Sequence, residues 1–160
     1  PNYTINFYIN VPSLQPAQTF GGIIGTNNTS FNVVLNNNSQ YGKVDIIHYY
    51  PSTGQDGQVV FGYDNFNFNT WYYISIVGAS IPRIYSNSIL QSTGNITLNS
   101  NVNYSYTHIG TAILNSDFSG LSGGMSGSLG SISFYNRALT VDEIKQNYNV
   151  SRGRYGLSWN

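Results

Sequence analysis

The sequence predicts an all-β protein, two antiparallel sheets packed face to face and closed by one short C-terminal helix. Three observations carry that reading. Tyr3 to Val11 alternates apolar and polar residues on a strict period of two. Further short segments rich in Val, Ile, Tyr and Phe follow one another, separated by Asn, Gly and Pro. Near the C-terminus a glycine-spaced strand runs directly into a helical pattern ending at Tyr148. Short strands punctuated in this way, with a single helix, argue a sandwich.

Taken in order, the first strand places Tyr3, Ile5, Phe7, Ile9 and Val11 on one face and Thr4, Asn6, Tyr8 and Asn10 on the other, the pattern of a half-buried strand. Pro12 and Pro16 break it. Gly21 to Gly25 leads to a turn at Asn27 and Asn28, and Phe31 to Leu35 is the next strand. Asn36, Asn37 and Asn38, which tolerate left-handed backbone angles, stop it. Val44 to Tyr50 follows, then a loop from Pro51 to Gly57, then Gln58 to Tyr63. Trp71 to Val77 and Arg83 to Asn87 read as strands. The second ends at Asn87-Ser88, where a tight turn asks for a positive φ that Gly takes freely and Ser does not. Ile96 to Leu98, Tyr106 to Ile109 and Leu129 to Phe134 complete the set. No repeat or linker divides the sequence, so residues 1–160 read as one domain. The start at Pro1 without a Met points to a processed product or a fragment.

The last strand is spaced by Gly127, Leu129, Gly130, Ile132 and Phe134, and Tyr135-Asn136-Arg137-Ala138-Leu139-Thr140 follows. Thr140-x-x-Glu143 is a capping-box pattern: the Thr hydroxyl accepts from the Glu143 amide while the Glu carboxylate returns to the Thr amide. Ile144 and Tyr148 then recur at helical spacing, giving a helix of about two to three turns. This segment resembles the closing motif of laminin-G-like jelly rolls in the concanavalin A-like lectin and glucanase superfamily, which reads Gly-x-hydrophobic-Gly, then Tyr-Asn-Arg-Ala-Leu-Ser/Thr, then x-x-Glu-Ile. Trp71-x-x-Ile74 looks like the family's Trp-x-x-Val segment. Arg83 to Asn87 resembles its Leu-Tyr-x-Asn-Gly strand and turn, with Ser88 in the place of the Gly. The resemblance implies a two-sheet antiparallel jelly-roll sandwich. It also implies a strand ahead of Tyr3 to Val11 that this sequence lacks. An uncovered edge is an association hazard, so the tail Arg152 to Trp159 or another chain is expected to cover it.

Composition narrows the function. Only 8% of the residues are charged, against roughly 25% in ordinary soluble domains, and six basic residues balance six acidic ones. The polar surface is therefore made by Asn, Ser, Thr, Gly and Tyr, without a long-range field, and neither nucleic acid nor an anionic membrane is an expected partner. No apolar run reaches the ~20 residues of a membrane span. Cysteine is absent, which removes thiol chemistry and disulfide scaffolds. Such neutral, Asn- and Tyr-rich β-proteins are expected on virion surfaces or outside the cell.

Catalytic chemistry finds little to work with. Glycoside hydrolysis needs two carboxylates roughly 5 to 10 Å apart, whereas the sole glutamate, Glu143, is engaged by the capping box. The Glu-x-Asp-x-x-Glu strand of the related glucanases is missing. His48 and His108 lie in separate strands without a Ser or Asp at motif spacing, so both read as structural. The chain is expected not to be an enzyme and to require no cofactor.

Two binding chemistries remain open. Calcium takes six to eight hard oxygen ligands, and laminin-G-like sandwiches often hold it in rim loops. Asp56, Asp64 and Asp117 each bring a lone carboxylate beside Asn, Ser or Gly, a pattern that equally suits an Asx-turn. Asp64 and Asp117 are the pair that the resemblance brings toward a common edge. Sugars offer apolar faces to aromatic rings and hydroxyls to amides, and aromatics make up 15% of the chain. Tyr49, Tyr50, Tyr63, Phe66, Phe68, Tyr104 and Tyr106 are the candidate stacking residues, although Tyr is also an ordinary strand former. The expected function is a non-catalytic structural or adhesion module of a virion, as a capsid decoration or fibre domain that contacts copies of itself, as a trimer for instance, other virion proteins and host cell-surface glycans. The alternative is a carbohydrate-binding module of a larger secreted protein.

Overall fold

The computed structural model describes residues 2–13, 20–26, 32–38, 43–52, 55–61, 67–94, 107–110, 112–113, 121–122 and 124–159. Among them the strands are β1 (Tyr3–Asn10), β2 (Phe20–Thr26), β3 (Asn32–Asn38), β4 (Lys43–Ser52), β5 (Gln55–Phe61), β6 (Trp71–Gly78), β7 (Arg83–Ser86), β8 (Ile89–Thr93), β9 (Thr107–Ile109), β10 (Ala112–Ile113), β11 (Leu121–Ser122) and β12 (Ser128–Tyr135). Helix α1 (Val141–Ser151) follows, continued by a 3₁₀ turn at Arg152–Tyr155. One sheet has the order β12-β1-β6-β7-β8 and the other β5-β4-β3-β2-β9, with every strand pair antiparallel. A small β10–β11 ribbon completes the set. This is the all-β jelly-roll sandwich with one C-terminal helix that the sequence predicts.

The alternation in β1 builds the core. Ile5, Phe7, Ile9 and the following Val11 are at most 2% exposed and meet Ile23 and Ile24 of β2, Val33 and Leu35 of β3, and Ile74 and Ile76 of β6. The other face of β1 is not solvated as its polar residues suggest. Thr4, Asn6 and Tyr8 are all nearly inaccessible, because α1 and the 3₁₀ turn lie across the outside of this sheet. Leu139, Ile144 and Tyr148 pack there against Tyr8, Tyr73, Val77 and Tyr85. The half-buried strand expected from periodicity is thus buried on both faces. Alternation reports one apolar face, but it is silent on what a distant helix covers.

Thr4 shows how the cover is fastened. Its hydroxyl donates to the Arg137 carbonyl and accepts from the Leu139 amide, both at 2.9 Å, and so pins the segment before α1 onto β1. The capping box then starts the helix: Thr140 Oγ1 accepts from the Glu143 amide at 3.3 Å, and the Glu143 carboxylate accepts from the Thr140 amide at 2.9 Å. Arg137 closes the motif with two parallel bonds to that carboxylate, at 2.7 and 2.8 Å. These bonds hold the Glu143 carboxyl down at about 2.

The glycine spacing of β12 also has a physical cause. The β1–β12 register shifts between Phe7 and Ile9, so that Gly130 and Ser131 both fall opposite Tyr8. The Ser131 amide donates instead to the Tyr155 hydroxyl at 2.9 Å. The Tyr155 ring lies directly over Gly130, where a Cβ would have ring carbons at 2.7 Å. On its other side Tyr155 stacks on Tyr8 with centroids 3.7 Å apart. The tail therefore covers the outer face of its own sheet, while β1 is flanked by β6 and β12 and is not an edge.

Three local expectations are corrected. Pro51 to Gly57 is largely paired: β4 runs to Ser52, β5 starts at Gln55, and Pro51 lies opposite Asp56. Ser88 does not prevent a tight turn. Asn87 and Ser88 adopt φ of 49° and 67°, the two left-handed positions of a two-residue hairpin between β7 and β8. Strand β8, which the sequence analysis did not identify, follows from that turn. Asn87 is further held by its Oδ1, which accepts from the Tyr73 amide at 2.9 Å, and by its own amide, which donates to the Tyr73 carbonyl at 2.7 Å.

Candidate functional site

The covering helix does not seal the sheet completely. Between α1 and the β12-β1-β6 face lies a cavity of about 240 Å³. Its floor is Asn6 and Tyr8 of β1 and Tyr73 of β6, each at most 3% exposed. Its walls are Tyr135 of β12 and Asn147 and Ser151 of α1. Ser131, Ser133, Gln146 and Val150 are exposed and form the rim. Strand pairing sets the floor, since Asn6 stands opposite Ser133 on one side and Ser75 on the other.

The lining is neutral and densely hydrogen-bonding. The Tyr8 hydroxyl is 2.6 Å from Ser151 Oγ, and Ser151 itself donates to the Asn147 carbonyl at 2.7 Å. Tyr8 is thus the donor in that pair, and its oxygen retains acceptor capacity. Asn147 Nδ2 donates to the Tyr135 hydroxyl at 3.1 Å, which leaves the Tyr135 proton available. Neither Asn6 Nδ2 nor Asn6 Oδ1 has a hydrogen-bond partner. The Tyr73 hydroxyl has Ser75 and Asn147 nearby, yet neither completes a bond to it. Burial raises the pKa of both Tyr8 and Tyr73, so both stay neutral phenols at physiological pH. Unpaired buried polar groups of this kind cost about 1–3 kcal/mol each.

The lining offers neutral hydroxyl and amide hydrogen-bonding groups. No carboxylate, imidazole or cation lines it. Among the described residues, no group of three His, Asp or Glu side chains converges on a metal position, and no helix is long and apolar enough to cross a membrane.

None of the sequence-derived candidates is among the described residues that line this cavity. Tyr49 and Tyr50 are on β4, paired in register with Gln58 and Gly57. Tyr63, Phe66, Tyr104, Tyr106, Asp64 and Asp117 lie outside the described residues. Asp56 is on β5, paired with Pro51, and not in a loop. Phe68 is partly buried and packs against the core. The cavity residues escaped the sequence analysis because Asn6 and Tyr8 looked like the solvent side of an alternating strand. The available signal was the coincidence of Thr4, Asn6 and Tyr8 with a nearby helix bearing its own polar Asn147 and Ser151.

No protein-family model matches the sequence, and no curated protein resembles it significantly. Solved structures do match. The receptor-binding domain of botulinum neurotoxin type G superposes with a TM-score of 0.66 at 19% identity, over 93% of this chain and 38% of its own length. That of the C/D mosaic serotype gives 0.69 at 15% identity, over 94% of this chain and 36% of its own. The chain has the concanavalin A-like jelly-roll fold. A heptameric SAP-like pentraxin from Limulus polyphemus agrees with it, at 0.60 and 16% identity over 89% of this chain and 67% of its own. The chain thus spans only 35–38% of the length of the toxin binding domains it matches. At these identities the likeness establishes the fold, and function has to be argued from the site.

Proposed function

We propose that this chain is a non-catalytic, surface-displayed recognition module that binds glycans. The observation that carries the reading is a jelly-roll sandwich whose one glutamate is held in a helix cap by Thr140 and Arg137 and is therefore not free to serve as a glycosidase acid. The structural neighbours support it. One botulinum binding domain is described in complex with SialylT, and another with entry dependent on two ganglioside molecules. Residues 1–160 act as one domain of a larger assembly, with a virion fibre or capsid decoration as the setting that the neutral, Asn- and Tyr-rich composition favours. Tyr49, Tyr50, Tyr63, Phe66, Tyr104 and Tyr106 are proposed as additional sugar contacts, and Asp64 with Asp117 as a calcium position in the rim loops.

A glycan array run with calcium and with chelator, together with light scattering, tests this. Saturable binding is expected, and its loss on chelation would implicate Asp64 and Asp117. A trimeric mass fits a fibre or decoration domain, while a monomer fits the second reading, a carbohydrate-binding module within a larger secreted protein. A folded chain that binds no glycan in either condition overturns the recognition function.

A further inference from the structure

We propose that the cavity between α1 and the β12-β1-β6 face binds a single neutral, polyhydroxylated residue, a terminal hexose or N-acetylhexosamine of a glycan. This rests on the recognition function above and gives it a site.

The chemistry of the lining selects the ligand class. Asn6 presents one acceptor and two donor hydrogens from a side chain that is 3% exposed and has no partner. Two neighbouring ring hydroxyls satisfy that amide together, one donating to Oδ1 and the other accepting from Nδ2. Tyr73 supplies a second unpartnered hydroxyl, while Tyr8 and Tyr135, oriented by Ser151 and Asn147, offer one acceptor and one donor. An apolar ligand would leave Asn6 and Tyr73 unpaired and buried, which is costly. An anion finds no cation in the wall. The nearby Arg152 guanidinium donates to the Leu157 carbonyl at 2.9 Å and lies 3.4 Å over the Trp159 ring. A cation finds no carboxylate there, since the lining is Asn, Gln, Ser, Tyr and Val. Tyrosine rings supply the apolar surface that a pyranose face requires.

Size limits the occupant. About 240 Å³ lies below the roughly 300–1,000 Å³ of ordinary small-molecule pockets, so it takes one ring and not an oligosaccharide. The rest of a glycan would leave past Ser131, Ser133, Gln146 and Val150, the exposed rim.

The test titrates the chain with methyl glycosides of glucose, galactose, mannose, N-acetylglucosamine and N-acetylgalactosamine, following the Asn6 side-chain amide and the Ser131 and Ser133 backbone amides by NMR. The same titration is run on Asn6→Leu, which removes the paired donor and acceptor, and on Ser133→Trp, which blocks the mouth from an exposed position. One glycoside is expected to shift these signals saturably, with affinity falling about tenfold or more in both variants, as for the loss of two neutral hydrogen bonds. If Asn6→Leu fails to fold, Ser133→Trp decides. Signals that stay in place at the highest soluble concentration of every glycoside overturn the site. So do variants that bind like the wild-type chain on the glycan array, a result that leaves the recognition function standing and moves it elsewhere. Silence on both the array and the titration overturns both.

Discussion

Gly130→Ala probes the contact that holds the C-terminal cover on the sheet. The backbone at Gly130 lies outside the left-handed region, so alanine meets no conformational penalty there. The obstacle is the Tyr155 ring, with Cε1 and Cζ 2.7 Å from the new methyl. The ring cannot retreat freely, because it stacks on Tyr8 at 3.7 Å, leans on Trp71 at 4.8 Å and accepts the Ser131 amide at 2.9 Å. Losing the stacked geometry costs about 0.5–1.5 kcal/mol, and losing the Ser131 bond about 0.5–1.5 kcal/mol. Replacing a strand glycine by alanine returns about 0.5–1 kcal/mol. The net destabilisation is therefore about 0–2.5 kcal/mol, centred on about 1.2 kcal/mol, or a fall of up to about 10 °C in Tm for a chain of this size. Thermal and urea unfolding of a double-mutant cycle with Tyr155→Ala supply the assay. Without the ring, Gly130→Ala is expected to be neutral or stabilising. Equal costs in both backgrounds, within about 0.5 kcal/mol, would refute the argument that Tyr155 is what requires a glycine here.

Three further outcomes follow from the structure. Ser88→Gly relieves a non-glycine residue at φ 67° and should stabilise the chain by about 1 kcal/mol, read as a rise in the urea midpoint at constant slope; a lower midpoint would show that the Ser88 side chain contributes more than the strain costs. Glu143 is held at about 2, below the usual carboxylate value of about 4.3, so its stabilisation is complete above the latter and is lost as pH falls through about 2. Acid unfolding followed by circular dichroism should therefore separate wild type from Glu143→Gln most at neutral pH and bring them together near pH 2; a separation independent of pH would contradict the Arg137 and Thr140 bonds as its cause. Deleting Arg152 to Asn160 removes the Tyr155 stack, the Arg152 contacts with Leu157 and Trp159, and the bond from the Tyr148 hydroxyl to the Ser158 carbonyl. A loss of at least about 2 kcal/mol is expected in thermal unfolding, and an unchanged melt would remove the tail from the fold's support.

Local physics made much of this protein legible in its sequence. The period-two pattern of Tyr3 to Val11 named the residues that fill the inter-sheet core, because in a strand successive side chains point to opposite faces. Thr140-x-x-Glu143 located the helix start to the residue, because a capping box needs only two side chains three positions apart. What was misread depended on partners far along the chain. Asn6 and Tyr8 looked like solvent-facing positions until α1, more than a hundred residues later, was laid across them, and the cavity between the two exists only in that packing. Ser88 looked unsuited to a tight turn, yet pairing of β7 with β8 and the bonds from Asn87 to Tyr73 hold it in a left-handed conformation that its own preference would not select. Composition and periodicity therefore determined the fold class, the core face of β1 and the poverty of catalytic groups. The tertiary structure decided which polar side chains lost their water, because desolvation is set by what packs above a residue and not by its neighbours in sequence.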